Sequence, residues 1–193
     1  MALEIDARNL ACPQPVVLTK KALENADEVT TIVDNDVAKS NVSKLAQSEG
    51  CSVDLQRKDD GIYLMLKKQS ATSAKTEPQS SAGTVIFLGS DIIGRGENYA
   101  LGSLLMQSFL HTIGGFKTGP ATIIMMNNGV KLATSDSLAL GELQQLENQG
   151  VEILACGTCL DRLGLMDKVA VGQVSNMYTI AETMMKATKV ISL

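Results

Sequence analysis

The stretch Thr84-Val85-Ile86-Phe87-Leu88 decides the fold, because it is an apolar run of strand length without polar alternation. Two similar runs follow it, at residues 121–126 and 151–155, and shorter runs lie at 168–171 and 189–191. Strands that are buried on both faces, as in parallel sheets, have this composition. The second half of the chain therefore contains the strands of a parallel sheet.

Helical patterns separate these runs, at residues 97–113, 135–149 and 175–186. In the first of them, one stripe carries Leu101, Leu104, Leu105 and Phe109, which we expect to face the core. Alternating strands and helices predict a doubly wound, mostly parallel sheet with helices on both faces. Ligand sites in such sheets lie beyond the carboxyl ends of the strands. Three loops leave such ends, at 89–96, 127–130 and 156–160.

Residues 67–83 contain no large apolar side chain, so this segment cannot bury enough surface to order itself. We therefore predict a domain over 1–68, a flexible linker over 69–83 and a second domain over 84–193. The first domain has the element order βαβαββ, in which an Asp-Asp-Gly turn joins the last two strands. This order indicates a two-layer α/β sandwich with two helices on one face of a four-stranded sheet.

Composition excludes several classes of function. The net charge of −4 and the six Phe and Tyr residues, with no Trp, argue against a nucleic-acid surface. No signal segment opens the sequence and no run approaches membrane-spanning length, so we expect no membrane association. Four cysteines without a signal segment indicate reduced thiols and a cytoplasmic location.

The first candidate site residue is Cys12, in Leu10-Ala11-Cys12-Pro13-Gln14-Pro15. Proline is favoured at the first position of a helix, so the pattern predicts a helix from Pro13 with Cys12 as its N-cap. The Gln14 N–H would then be directed at the sulfur. The positive end of a helix dipole stabilises a thiolate, which would make Cys12 reactive. The alternative is a small buried apolar residue.

The second candidate is the Cys-x-x-Cys motif Cys156-Gly157-Thr158-Cys159, directly after an apolar strand. A zinc site needs two further ligands, but the chain has one histidine, and Cys12 and Cys51 lie in the other predicted domain. We therefore predict no metal. The pair can act as a dithiol that forms a disulfide, or as one nucleophile with a resolving neighbour, and the sequence does not rank the two cysteines. Packing is the remaining alternative for the pair. Cys51, on the apolar face of its strand, is expected to fill the core.

The first half resembles the TusA/SirA family of small sulfur carriers, through Cys-Pro-x-Pro in the stretch from Asp6 to Pro15. The second half resembles the DsrE-like family, through Val85–Ser90, the loop Asn127-Asn128-Gly129-Val130 and the cysteine after the third strand. The fusion of the two is similar to proposed selenium metabolism proteins of the YedF type.

The resemblance implies sulfur or selenium handling, with Cys12 carrying a persulfide and Cys156 or Cys159 accepting the sulfur. It implies a cysteine desulfurase or another sulfur or selenium donor protein as one partner, and a downstream acceptor as the other. It also implies a homo-oligomer formed through the second domain. Transfer of sulfane sulfur between thiols needs no cofactor. A thiol-disulfide redox protein that uses Cys156 and Cys159, and a non-catalytic regulatory module that binds a partner, remain open as alternatives.

Overall fold

A computed structural model describes residues 3–11, 13–68, 83–94 and 98–193 of the chain. The predicted linker 69–83, except Gly83, lies outside the described residues, as do Cys12 and the last part of the 89–96 loop. The chain divides into two compact units, each built around its own sheet.

The first unit is a four-stranded sheet covered by two helices. Its strand order is β1-β2-β4-β3, with β1 parallel to β2 and the other neighbours antiparallel. Both helices share one apolar core with the sheet, which confirms the predicted βαβαββ sandwich. Its elements are β1 (Leu3–Asp6), α1 (Gln14–Asn25), β2 (Glu28–Val33), α2 (Asp36–Ser48), β3 (Cys51–Lys58) and β4 (Gly61–Lys68).

Helix α2 shows why this core forms. Asn35 is its N-cap, and the Asn35 side-chain oxygen accepts the Ala38 N–H at 2.8 Å. Ala38, Val42 and Leu45 then recur at helical spacing and are buried. Leu64 of β4 is buried in the same core and alternates along the strand with half-buried neighbours.

The second unit is a five-stranded sheet in the order β8-β7-β6-β5-β9, with every pair parallel. Two short 3₁₀ helices accompany its α-helices, and we call Asn127–Ala133 the strand-end 3₁₀ helix. The elements are β5 (Thr84–Leu88), α3 (Tyr99–Gly114), β6 (Thr122–Met125), α4 (Leu140–Asn148), β7 (Glu152–Cys156), α5 (Gly157–Arg162), β8 (Gln173–Ser175), α6 (Met177–Lys186) and β9 (Lys189–Ser192), with the second 3₁₀ helix at Met166–Lys168.

The connections run in two directions across this sheet. From β5 the chain moves through β6 and β7 to β8, and from β8 it returns past all of them to β9 at the other edge. Because crossovers between parallel strands are right-handed, the reversal places α6 on the face opposite α3 and α4. The predicted doubly wound sheet with helices on both faces is confirmed.

Two local predictions in the second unit were wrong. Residues 168–171 do not form a strand: Lys168 ends a 3₁₀ helix, Val169 makes an isolated bridge to Thr134, and β8 lies at Gln173–Ser175. The predicted loop 156–160 contains instead the start of α5. Residues 168–171 instead bond to the end of the strand-end 3₁₀ helix, where the Ala170 N–H donates to the Ala133 carbonyl at 2.8 Å, and local periodicity does not encode such a contact.

The predicted stripe of α3 packs against the core only at Phe109, which is partly buried, and the prediction was wrong for its three leucines. Leu101, Leu104 and Leu105 are 51%, 58% and 43% exposed, whereas the helix buries Gly102, Met106, Leu110 and Ile113. The buried face contains Gly102 because the segment before the helix comes very close, so that an added Cβ would lie 2.9 Å from Ile92 Cβ. Helix α3 therefore has a second apolar face that the described residues leave exposed.

Candidate functional site

The start of helix α1, directly after Cys12, differs from the prediction. Helix α1 begins at Gln14 with Pro13 as its N-cap, one residue later than expected. The Gln14 N–H donates to the Ala11 carbonyl at 2.9 Å, so it is not the predicted donor to the sulfur. The predicted N-cap role of Cys12 and its directed hydrogen bond are therefore corrected. Cys12 itself lies outside the described residues, and its reactivity stays a prediction.

Asn9 anchors the loop that leads to Cys12. Its backbone has φ +59°, and its N–H donates to Asp34 Oδ2 at 2.6 Å. Asn9 follows β1 and Asp34 follows β2, and because these strands are parallel neighbours, both segments start from the same edge of the sheet. The hydrogen bond from Asn9 lowers the pKa of Asp34, so the acceptor is an anion at neutral pH.

Arg8 ties the same loop to the turn between β3 and β4. Its guanidinium lies 2.6 Å from Asp6 Oδ2 and 3.1 Å from Asp60 Oδ2. The hydrogen bonds from Arg8 lower the pKa of Asp6 to about 2. Exposed ion pairs of this kind contribute little to stability, so their effect is on the position of the loop.

The left-handed backbone of Asn9 gives a test of this anchoring. Asparagine and glycine tolerate positive φ, whereas a β-branched residue does not. We expect Asn9→Val to lower the free energy of unfolding of the first unit by about 1–2 kcal/mol and to change the alkylation rate of Cys12. Asn9→Gly, the matched control, should keep that rate close to that of the parent. Denaturant unfolding and timed alkylation measure both effects, and equal behaviour of the two variants would contradict the anchoring role.

The second site lies where β6 and β7 end side by side. Met125 pairs with Ala155, so the residues that follow, Asn127 and Cys156, emerge at one edge of the parallel sheet. The Asn127 N–H donates to Cys159 Sγ at 3.2 Å, across a sequence separation of 32 residues. Asn127 also has a positive φ, of +50°. The strand-end 3₁₀ helix thus begins by directing a donor at the second cysteine of the motif.

The two cysteines that the sequence could not rank differ in their exposure to solvent. Cys156 is the last residue of β7 and the N-cap of α5, and it is 2% exposed. Burial is the main cause that raises the pKa of the Cys156 thiol to about 11; the neighbouring Cys159 side chain also raises this pKa, whereas the backbone N–H groups of Cys159 and Thr158 lower it. Cys159 is half-buried and free. It is therefore the thiol of the pair that a partner can reach.

Cys51 lies apart from both sites, at the start of β3, and is 7% exposed in the core of the first unit, as expected. Burial raises the pKa of its thiol. In the described part of the chain, no three His, Cys, Asp or Glu side chains are grouped as metal ligands would be. None of the described helices combines the length and apolar character needed to cross a membrane.

The sequence reasoning missed four residues that position the two cysteine-bearing segments: Arg8, Asn9, Asp34 and Asn127. Asn9 and Asn127 are the non-glycine residues with positive φ among the residues described. Asparagine after a strand was the available signal, because its short side chain tolerates the left-handed conformation. The partners across the sheet edge had no signal in the local sequence.

Each half is therefore an α/β unit in which a cysteine-bearing segment follows a strand that has a parallel neighbour. Residues 3–68 match the family model of the sulfurtransferase TusA, and residues 98–193 match that of the DsrE/DsrF-like family. The chain joins a TusA/SirA-like N-terminal domain to a DsrE-like C-terminal domain. Both are families of sulfur-relay proteins, which supports a sulfur-carrier role.

Three solved structures are similar to parts of the chain. A SirA-like protein of Desulfitobacterium hafniense is 35% identical over 35% of this chain and 96% of its own, with a TM-score of 0.32. The YchN protein of E. coli is 14% identical over 57% of this chain and 98% of its own, with a TM-score of 0.41. A protein of unknown function from Methanobacterium thermoautotrophicum is 21% identical over 57% and 97%, with a TM-score of 0.42. A comparison with curated proteins found no match.

Proposed function

We propose that the chain is a sulfur carrier that holds sulfane sulfur as a persulfide on Cys12 and relays it to Cys159. The observation that carries this proposal is the half-buried Cys159 sulfur, which accepts the Asn127 N–H at 3.2 Å at the edge of a DsrE-like sheet. Loading at Cys12 is supported by the match of residues 3–68 to TusA, together with the Cys-Pro-x-Pro motif.

The relay consists of two thiol exchanges. The Cys12 thiolate attacks the outer sulfur of a donor persulfide, and the donor cysteine leaves as a thiolate. The Cys159 thiolate then attacks the outer sulfur of the Cys12 persulfide, which restores the Cys12 thiolate. Each exchange forms one S–S bond and breaks one, so no oxidant, reductant or cofactor is consumed. The Asn127 N–H donates to the Cys159 sulfur and so helps to hold that sulfur at the edge of the sheet.

A cysteine desulfurase is the proposed donor, because it forms a persulfide from cysteine, and the acceptor is a further thiol protein. The same exchanges would carry selenium, the cargo that the YedF-type resemblance implies. A cytoplasmic location suits free thiols of this kind. We further propose self-association through the second unit, which the exposed Leu101, Leu104 and Leu105 face of α3 supports.

Intact and peptide mass spectrometry test the loading step. After incubation with a cysteine desulfurase and cysteine, we expect the Cys12 peptide to gain the mass of one sulfur atom, about 32 Da. Cys12→Ser should lose this adduct, because a serine hydroxyl is not ionised at neutral pH, whereas the buried-core control Cys51→Ala should keep it. Adducts that form equally well without Cys12 would contradict its role as the carrier.

A dithiol redox function is the second candidate, because the two cysteines of the motif lie three residues apart at the start of α5 and are therefore neighbours. The same spectra discriminate between the two functions. A sulfur carrier gains mass on exposure to the persulfide donor. A redox protein instead loses two hydrogen atoms from the peptide that contains Cys156 and Cys159, and it does so with or without Cys12.

A further inference from the structure

The two cysteines of the motif differ in exposure: Cys156 is buried, and Cys159 is half-buried. Cys156 ends β7 and caps α5, and Cys159 lies three residues later, on the first turn of that helix. Residues three apart on a helix are neighbours, so the two cysteine side chains lie next to each other at the start of α5. Relay through Cys159 needs no second thiol at this position. The presence of Cys156 three residues before it, at the start of the same helix, therefore calls for a separate role.

We propose that Cys156 displaces sulfane sulfur from Cys159 as sulfide, which leaves a Cys156–Cys159 disulfide. This inference rests on the proposed function, since it requires a persulfide on Cys159. The carried sulfur would then have a second possible reaction, release as sulfide, in addition to transfer to an acceptor protein.

The reaction balances without an external oxidant. The Cys156 thiolate attacks the inner sulfur of the Cys159 persulfide, a Cys156–Cys159 S–S bond forms, and the bond to the outer sulfur breaks. The outer sulfur leaves as HS⁻ and is reduced by two electrons, while the two cysteines are oxidised to the disulfide. The proton of Cys156 is lost before the attack and is available to the departing sulfide. A dithiol reductant such as dithiothreitol, added only after sulfide release and intact mass have been measured, returns the pair to the thiol state.

The surroundings of the two cysteines favour a reaction of Cys156 with Cys159 over a reaction of Cys156 with a thiol of another molecule. Cys156 is 2% exposed, so a thiol from another molecule cannot reach it, whereas Cys159 is its neighbour on the first turn of α5. The Asn127 N–H lies 3.2 Å from the Cys159 sulfur, which is the atom under attack. A hydrogen-bond donor at this atom withdraws charge from it and assists the attack.

Burial also keeps the discharge slow at neutral pH. With a pKa of about 11, Cys156 is almost entirely a neutral thiol, and only the thiolate attacks. Its partners on the neighbouring strands, Ser175 of β8 and the adjacent Met125 of β6, carry no charge, and neither does Thr158 on α5. Cys159 is therefore the titratable group that acts on Cys156. Stored sulfur would survive long enough to be transferred, and discharge would be faster at higher pH.

The experiment compares two full-length proteins. One carries Cys12→Ser alone, and the other carries Cys12→Ser together with Cys156→Ser. Both are loaded with inorganic polysulfide and desalted, and sulfide release and intact mass are followed. With Cys156 present, we expect one sulfide per loaded chain and a product lighter by two hydrogen atoms than the reduced protein. Release should rise about tenfold per pH unit between pH 7 and 9, because the thiolate fraction does. Cys156→Ser should retain the sulfur adduct and release sulfide at least about tenfold more slowly.

Cys51→Ala in the same background is the matched control and should release sulfide like the protein that retains Cys156. Equal release with and without Cys156 would overturn the inference. A stable adduct on Cys159 beside an intact Cys156 thiol at pH 9 would overturn it as well, while leaving the carrier function in place. If no adduct forms on Cys159 of the Cys156→Ser variant, both the inference and the proposed acceptor role are wrong.

Discussion

Replacement of Cys159 by serine is expected to abolish transfer of sulfur from Cys12. The donor in this experiment is the full chain with Cys156→Ser and Cys159→Ser, loaded on Cys12 with ³⁵S. The acceptor is the full chain with Cys12→Ser. Label should pass to Cys159 of the acceptor, because its sulfur is accessible and receives the Asn127 N–H. In a Cys12→Ser, Cys159→Ser acceptor, transfer should fall by a factor on the order of a hundred or more, since a serine hydroxyl is a far weaker nucleophile than a thiolate.

The matched acceptor is Cys12→Ser with Cys156→Ser, which keeps the accessible thiol and removes the buried one. We expect its initial rate of labelling to stay close to that of the acceptor with both thiols, because Cys156 is shielded from a partner protein. If instead this variant loses the label and Cys159→Ser keeps it, the roles of the two cysteines are reversed. Equal labelling of an acceptor that lacks both would mean that the motif is not the acceptor.

Gly129→Ala is expected to have the largest effect on the stability of the second unit. A Cβ added at Gly129 would lie 2.1 Å from the Leu88 carbonyl oxygen and 2.9 Å from the Leu88 carbonyl carbon. Both atoms are backbone atoms at the end of β5, so no side chain can rotate to make room. The same oxygen accepts the Met126 N–H at 3.0 Å, one residue before the strand-end 3₁₀ helix begins. The methyl group would therefore separate β5 from that helix.

We expect this variant to lose about 3 kcal/mol or more of unfolding free energy, or to leave the second unit unfolded. Gly141→Ala is the control, because a Cβ there meets nothing within 4 Å and lies on α4. It should be neutral or stabilising by up to about 1 kcal/mol. Denaturant unfolding of the full chain measures both. If the variants are equally stable, the close approach of Gly129 to Leu88 is not a constraint on the fold.

The strands of the second unit could be predicted because strands that are buried on both faces consist almost entirely of apolar residues. The apolar runs at β5, β6 and β7 need no partner to be recognised, and they place Cys156 at a strand end. Helix α5 could not be predicted in the same way. Its six residues are too few to show a helical period, and it begins with glycine.

The arrangement of the site could be predicted only in part, for a similar reason. The Cys-x-x-Cys spacing indicated a thiol site, but the exposure of each sulfur depends on packing around the start of α5. The Asn127–Cys159 hydrogen bond joins residues 32 positions apart, and the Asn9–Asp34 bond joins residues 25 apart. Both follow from which strands are neighbours in a sheet. At the start of α1, the prolines indicated the helix but left its first residue uncertain by one position.

Because Cys51 is buried, the rate at which its thiol is modified reports how often the first unit opens. Its sulfur lies in the core at the start of β3, beside the residues that hold the sheet to the helices. A thiol reagent can reach it only during rare excursions in which that packing opens, so the modification rate equals the intrinsic rate multiplied by the opening equilibrium constant. Followed by peptide mapping, modification of this single sulfur atom would measure how often the TusA/SirA-like domain opens under native conditions.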